Sequence, residues 1–580
     1  MSDYERFLAS KRLVAPSGGQ EIDAGAIHPS LFPFQRALVR WAVRKGRAAL
    51  FADTGLGKSF MQLEWARLIG TRTLIVAPLG VARQTVSEAA RLGIDLVYAR
   101  AQADAGDGLT ITNYEMVEHF DAAAFGAVVL DESSILKSLD GKTKARLIEM
   151  FAETPYRLCC TATPAPNDIT EIANHAEFLG IMRRVDMLAS FFVHDDAGWR
   201  LKGHAERAFY RWLASWAMAV RKPSDLGPQY SDDGYDLPPL TMTPLWVDAE
   251  YVPDGQLFFT RMRGVGDRTA VRKGTVTDRV AAAAALVNAS NDPWIVWCGL
   301  NDESSALAAA IPGAVEIVGS DSPDDKAAKL AAFQCGDYRV LVTKPRIAGW
   351  GLNFQHCAHM VFVGLSDSWE SYYQCIRRCY RFGQQRPVTA HIVLSQVEDA
   401  IYHNVMDKER EARGMSDRLI EAVRDYERQE MEGIEGDDAD YQMGQAQGRN
   451  WRLLLGDSVE RMAELDDESV DLTVTSPPFQ SLYTYNPTAR DVGNCRSIEE
   501  FESHFGYIVD HLLRVTRPGR LACIHVQQLA TTLISHGVIG LDDFRGRVIR
   551  LFVARGWVYH GEVCIDKDPQ AQAIRSHAKG

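Results

Sequence analysis

The stretch Ala52-Asp53-Thr54-Gly55-Leu56-Gly57-Lys58-Ser59 constrains this chain more than any other. It follows the apolar run Ala48-Ala49-Leu50-Phe51, which reads as a short buried strand. It precedes FMQLEWARLI, whose apolar residues recur at helical spacing. A strand that turns through glycines straight into a helix gathers backbone N–H groups and the positive end of the helix dipole at one point. Gly55 and Gly57 let the backbone curl inward around a polyphosphate, with Thr54 in the same turn. A glycine turn that merely capped a helix would need neither Lys58, placed to reach the outer phosphates, nor Ser59, whose hydroxyl suits a magnesium ion.

A chain of 580 residues is too long for one core, so three or four domains are expected. With 46% hydrophobic and 24% charged residues, the composition supplies several cores without disorder dominating. No apolar run reaches the length of a membrane span, and the opening MSDYERFLASKR lacks the apolar centre of a signal peptide. A cytoplasmic protein without a membrane partner is expected. The ten cysteines form no C-x-x-C pair, which points to reduced thiols rather than a metal site. A net charge of −13 argues weakly against a general nucleic-acid coat but leaves room for a local basic groove.

Further motifs follow in order. Phe34-Gln35 opens an amphipathic helix shortly before the glycine turn. The strand-like run Thr73–Pro78 leads to Arg83 and Gln84, which are either nucleic-acid backbone contacts or solvated surface. Ala127-Val128-Val129-Leu130 delivers Asp131-Glu132-Ser133-Ser134 at a strand end, where Asp131 suits a magnesium ion and Glu132 an attacking water. Thr161-Ala162-Thr163-Pro164 follows another strand-like run. Residues 199–227 read as helix broken at Pro223 and Gly227, with Trp212 and Trp216 as core residues. The cluster Arg261, Arg263, Arg268, Arg272 and Lys273 is left open between phosphate contacts and basic surface. Strand and helix patterns restart at 276, and Ile347–Gln355 supplies a glycine-rich turn. Finally, Gln374 to Gln384 fits Q-x-x-x-R-x-x-R-x-G-Q, with Arg378 and Arg381 three apart on an expected helical face.

Taken together, residues 25–400 resemble superfamily-two helicases, and the turn at 347–355 and the arginine segment resemble the Swi/Snf-type branch. The resemblance implies an α/β fold of two tandem RecA-like parallel-sheet domains with ATP between them. It implies ATP-binding roles for Gln35 (adenine edge), Thr54, Gly55, Gly57, Lys58, Ser59 and Gly351, and Mg2+ on Ser59 and Asp131. Lys58, Asp131, Glu132, Arg378 and Arg381 are the implied catalytic set, the arginines acting as fingers across the interface. Double-stranded DNA is the implied partner; no protein partner is implied. DESS departs from the DEAD and DEAH forms and does not by itself choose DNA over RNA.

The tail carries a second pattern. Residues 401–430 are charged and helical, and 430–440 form an acidic connector. Leu453-Leu454-Leu455-Gly456-Asp457-Ser458, a helix, then Val470–Val474 running into Thr475-Ser476-Pro477-Pro478-Phe479 are similar to the entry of DNA methyltransferases that modify exocyclic amino groups. Ser476 and the Pro477 carbonyl suit the amino group of a flipped base, Pro478 stiffens the loop and Phe479 offers a stacking face. The resemblance places Asp457 on the S-adenosylmethionine side. No G-x-G occurs in 449–580, so this unit is expected to be either a fragment of a longer domain or degenerate, with weak or absent methylation.

The expected domains are 1–200 and 276–400 (RecA-like), 201–275 (helical or linker insertion), 401–448 (helical and acidic linker) and 449–580 (partial Rossmann-like methyltransferase). The expected function is an ATP-driven DNA translocase fused to an amino-methyltransferase module, as in phage and restriction-modification proteins. The alternative is an RNA helicase with a structural or RNA-binding appendage. A non-enzymatic clamp is disfavoured because all five catalytic candidates are present.

Overall fold

Short runs of buried, mostly apolar residues become the central strands of two parallel sheets. The computed structural model describes residues 2–11, 15, 17–137, 142–195, 198–248, 274–348, 353–366, 368–395, 398–432, 443–479, 488–495, 497–531 and 540–565. Gly351 and the basic cluster at 261–273 lie outside the described residues, as does the side chain of Arg83.

In chain order the strands are β1 (Arg47–Ala52), β2 (Thr73–Ala77), β3 (Leu96–Tyr98), β4 (Leu109–Asn113), β5 (Ala127–Asp131), β6 (Tyr156–Cys160), β7 (Phe192–Asp195), β8 (Gly198–Leu201), β9 (Ala217–Val220) and β10 (Leu240–Val247). They continue as β11 (Trp294–Cys298), β12 (Ala314–Glu316), β13 (Val340–Thr343), β14 (His359–Val363) and β15 (Val388–Ser395). The first sheet has the order β3-β4-β2-β5-β6-β1-β9 and the second β10-β15-β14-β11-β13-β12. Every neighbouring pair in both sheets is parallel. Helices cover parallel strands on both faces, which is why β2, β5 and β11 are buried at every position. This is the α/β architecture expected for the two domains.

The order of the first sheet positions the site. β5, β6 and β1 are adjacent, so the residues following each of them emerge side by side at the carboxyl edge. Those residues are Asp131-Glu132, Thr161–Pro164 and the glycine turn.

Two segments differ from the sequence reading. Within 199–227 only Glu206–Ala214 is α-helix, and Ala217–Val220 is the edge strand β9 beside β1. The tetrapeptide AMAV is apolar at all four positions, a pattern that fits a buried strand as well as a helix. β10, inside the expected insertion, pairs along its whole length with β15. Trp212 and Trp216 are buried as core residues.

By compactness, Pro16–Ile181 with Trp216–Arg424 form one unit holding both sheets, and Met1–Ala15, Met182–Ser215 and Asp425–Gly580 form another. In the second unit, helix α1 (Asp3–Lys11) packs Tyr4 and Leu8 with Val459, Phe7 and Tyr507. The tail strands are the antiparallel pair β16 (Gly444–Gly448) and β17 (Trp451–Leu455), and the parallel pair β18 (Val470–Thr475) and β19 (Thr516–Ile524). A bulge falls between Val470 and Leu472 of β18. Among the described residues these are separate two-stranded sheets, where the sequence reading expected one Rossmann-like sheet.

Candidate active site

Helix α2 (Pro33–Lys45) precedes β1, and helix α3 (Lys58–Ile69) follows the glycine turn. Gly57 caps α3 in the left-handed region at φ 78°, and Gly55 has φ 92°. A side chain at Gly57 would collide with the Gln35 amide, and one at Gly55 would meet the Phe382 backbone nitrogen at 3.0 Å. Glycine is therefore required at both positions by backbone angle and by space.

Gln35 is buried, and its amide is engaged at both ends. Nε2 donates to the Leu56 carbonyl at 2.8 Å, and Oε1 accepts from the Phe32 N–H at 2.9 Å. It ties the start of α2 to the glycine turn. Lys58 Nζ donates to the carbonyls of Ala52 (2.9 Å) and Asp53 (3.4 Å), folded over its own loop. Thr54 and Ser59 are half-buried, Ser59 in the first turn of α3.

Asp131 ends β5 and is 4% exposed. Burial pushes its carboxyl well above the usual carboxylate range; the neighbouring charge of Glu132 adds to the shift and Lys58 opposes it. Glu132 sits at φ 52°, a left-handed conformation rare for a residue with a side chain. Its carboxyl is also raised by burial, opposed by the charges of Lys58 and Arg378. Thr161 Oγ1 donates to Glu132 Oε2 at 3.5 Å, and the Thr163 N–H donates to Thr161 Oγ1 at 3.1 Å. The first serine of DESS, Ser133, is buried and bonded to the buried His175 at 3.1 Å.

The second sheet domain meets this edge through the helix Trp369–Ile376 and the turns after it. The helix ends at Ile376, so Arg378 and Arg381 stand on turns and not on the helical face the spacing predicted. After Ile376 the backbone tightens, with Arg378 N–H on the Cys375 carbonyl and Cys379 N–H on the Ile376 carbonyl. Arg378 is 4% exposed and holds Gln374 through Nε to its carbonyl (2.9 Å) and Nη2 to Oε1 (2.8 Å). Burial lowers its guanidinium to about 10, with Arg381 contributing and Glu132 opposing. Arg381 is lowered by burial and feels the opposing charge of Glu88 in the first domain.

Several residues at this junction were not singled out from the sequence. Arg377 forms an ion pair with Asp53 of the glycine turn, and the Tyr373 hydroxyl donates to the same carboxylate. The Arg377 guanidinium lies over the Tyr373 and Tyr380 rings at 5.1 and 5.4 Å. Glu370 accepts from the Thr163 hydroxyl at 3.1 Å and pairs with Lys137. An acidic residue inside the glycine turn was the one available signal, and it has meaning only once a cation is brought to it.

In the other unit, Asp457 caps the helix Ser458–Ala463 through the Val459 N–H (2.8 Å). It also accepts from the Tyr4 hydroxyl (2.6 Å) and Arg490 (3.2 Å). The sequence reading placed it against a methyl donor; here its carboxylate is taken up by the fold. Ser476 is exposed, with Oγ donating to the His525 carbonyl at 3.2 Å, and Pro477 is buried beside the half-buried Pro478. Phe479, expected to present a stacking face, packs with ring centroids 6.0 Å from Phe544 and 6.2 Å from His525.

Residues 282–383 match the helicase conserved C-terminal domain family. No curated protein matches the chain. Among solved structures, the chain is similar to the Sulfolobus solfataricus SWI2/SNF2 ATPase core in complex with dsDNA, at 16% identity and a TM-score of 0.35. That similarity covers 70% of this chain and 98% of the other.

Proposed function

We propose that the chain hydrolyses ATP between its two parallel-sheet domains and uses the cycle to track along duplex DNA. The observation that carries the proposal is the junction at the carboxyl edge of the first sheet, where Arg377 of the second domain pairs with Asp53 of the glycine turn and Glu370 accepts from Thr163, two residues from the Thr161 that bonds Glu132. The family match over 282–383, which includes the arginine segment, supports the same reading.

The residues fit the nucleotide. The backbone curl at Gly55 and Gly57 with Lys58 would hold phosphates, and Ser59 with Asp131 would hold magnesium, which when bound neutralises phosphate charge. Gln35 steadies the turn from behind; reading an adenine edge would require its amide to leave Leu56 and Phe32. Glu132, its carboxyl raised by burial, is suited to take the proton of a water. Arg378 and Arg381 bring positive charge into a buried setting where it acts strongly on developing negative charge. Duplex DNA as the partner rests on the Swi/Snf character of the turn at 347–355 and of the Gln374–Gln384 spacing.

At Asp457 the tail unit does not fit S-adenosylmethionine, because that carboxylate is engaged by Tyr4 and Arg490. No methyl-transfer step is assigned to it.

The test is ATP hydrolysis with linear duplex DNA, single-stranded DNA or duplex RNA present, for the chain and for Lys58→Ala. Stimulation by duplex DNA with loss in Lys58→Ala is expected. Hydrolysis undiminished in Lys58→Ala would overturn the enzyme reading, and stimulation by RNA alone would move the motor to the other nucleic acid.

A further inference from the structure

Glu370 is 2% exposed, and a buried carboxylate is tolerated only when its oxygens are matched. Both of its partners come from the other sheet domain. Oε1 accepts from the Thr163 hydroxyl at 3.1 Å, and Oε2 pairs with Lys137, which ends the short helical segment following Asp131-Glu132.

Thr163 is the end of a hydrogen-bonded chain. The Thr161 hydroxyl donates to Glu132, the Thr163 N–H donates to Thr161, and the Thr163 hydroxyl donates to Glu370. Glu370 stands in the first turn of the helix Trp369–Ile376, where its charge also suits the helix dipole. From Glu370 to the helix end is roughly 9 Å of rigid backbone. Arg377 and Arg378 follow directly, and the charge of Arg378 acts back on Glu132. The bonded path runs Glu132, Thr161, Thr163, Glu370 and on through the helix to the turn that carries Arg378.

We propose that Glu370 is a positioning residue that registers the arginine segment of the second domain on Glu132 of the first, through Thr163 and Lys137. It reads where the Thr161–Thr163 strand end lies and sets the arginines accordingly. A change at Glu132 is thereby passed to the helix that carries the second domain's charge. This rests on the ATP-hydrolysis reading above.

The experiment measures steady-state ATP hydrolysis by the full chain for Glu370→Ala, Thr163→Val and the double variant, with Lys58→Ala as control. Misplaced arginines should lower kcat about tenfold in each single variant and leave KM for ATP within about twofold. The double variant should be no worse than either single one, because both break the same path. A merely structural Glu370 would lower the melting temperature and spare kcat. Wild-type kcat in Glu370→Ala, or losses that multiply in the double variant, would overturn the proposal. If Glu370→Ala does not fold, Thr163→Val, nearly isosteric, decides alone: wild-type kcat overturns the proposal and the tenfold loss supports it. A wild-type chain without hydrolysis, or an active Lys58→Ala, would instead defeat the motor reading; normal controls with an unaffected Glu370→Ala defeat only this inference.

Discussion

Lowering the pH below 6.5 should undock helix α1 from the tail unit, and His504 is the reason. Tyr4, Leu8 and Lys11 lie along one face of α1 and are buried. His504, fully buried, stands between two of them. Lys11 Nζ donates to His504 Nδ1 at 2.9 Å, and Lys11 also donates to the Asp491 carbonyl at 2.9 Å. The Tyr4 hydroxyl donates to Asp457 at 2.6 Å, which leaves its oxygen to accept from His504 Nε2 at 3.1 Å. Every hydrogen is thus assigned: Nδ1 must be the acceptor and Nε2 the donor. Protonating the ring would turn Nδ1 into a donor facing an ammonium. Asp457, Glu460 and Arg490 flank Tyr4, and Cys495, Glu500 and Asp491 surround Lys11. Burial first, and the Lys11 charge second, hold the His504 ring down to about 3 against an ordinary value of 6.5. The docked state therefore binds fewer protons than the undocked one. Docking is at full strength above pH 6.5 and is lost progressively as the pH falls from 6.5 towards 3. Lys11 is shifted the same way by burial, but its effect starts from its ordinary value of 10.5. One pH unit below 6.5 the His504 contribution amounts to about 1.4 kcal/mol, a tenfold change in the docking equilibrium. Hydrogen–deuterium exchange of the 3–11 peptide, corrected for intrinsic rates, should show protection falling about tenfold between pH 7.5 and 5.5. In His504→Gln, which keeps a donor and an acceptor without titrating, the fall should vanish. Flat protection in the native chain, or the same slope in His504→Gln, would refute the reasoning.

Gly57→Ala places a side chain at φ 78° against the Gln35 amide, so unfolding of the first sheet domain in urea should come earlier by about 1–2 kcal/mol. An unchanged midpoint would mean that the turn relaxes freely. Asp53→Ala strands the Arg377 guanidinium between the Tyr373 and Tyr380 rings, and loss of a largely buried partner should destabilise by about 3 kcal/mol. Denaturant unfolding within 1 kcal/mol of the native chain, taken as roughly the surface-pair limit, would show that the ion pair is solvated. Trp212→Ala removes a buried indole packed against both Phe191 and Phe209, centroids 5.4 and 5.8 Å away, and should cost about 3–5 kcal/mol by calorimetry. A loss under 1 kcal/mol would place that ring outside a packed core, contrary to the contacts.

What was legible in the sequence and what was not divides along one physical line. The glycine turn, the Asp131-Glu132 strand end and the Gln374–Gln384 spacing are local: their chemistry is fixed by backbone geometry over a dozen residues or fewer, so residue type and interval suffice. Strands such as β2, β5 and β11 were legible for the same reason, each a buried, largely apolar run, whereas β9 read as helix and β10, alternating in exposure, was missed. Hidden were the partners whose meaning arises only across the chain. Asp53 is an unremarked residue of the turn until Arg377 arrives, and Glu370 reads as a solvated helix-start acid until Thr163 and Lys137 cover it. Tyr4 and Lys11 reach His504 from the other end of the sequence. These are also the residues that hold one domain against another or one terminus against the tail. Local motifs therefore point to a nucleotide chemistry, whereas the contacts between the two sheet domains that the proposed coupling needs are made by Glu370, Arg377 and Asp53, for which no fixed interval exists. A chain that kept every local motif and lost those three would, by this logic, retain a nucleotide site whose arginines no longer register with it.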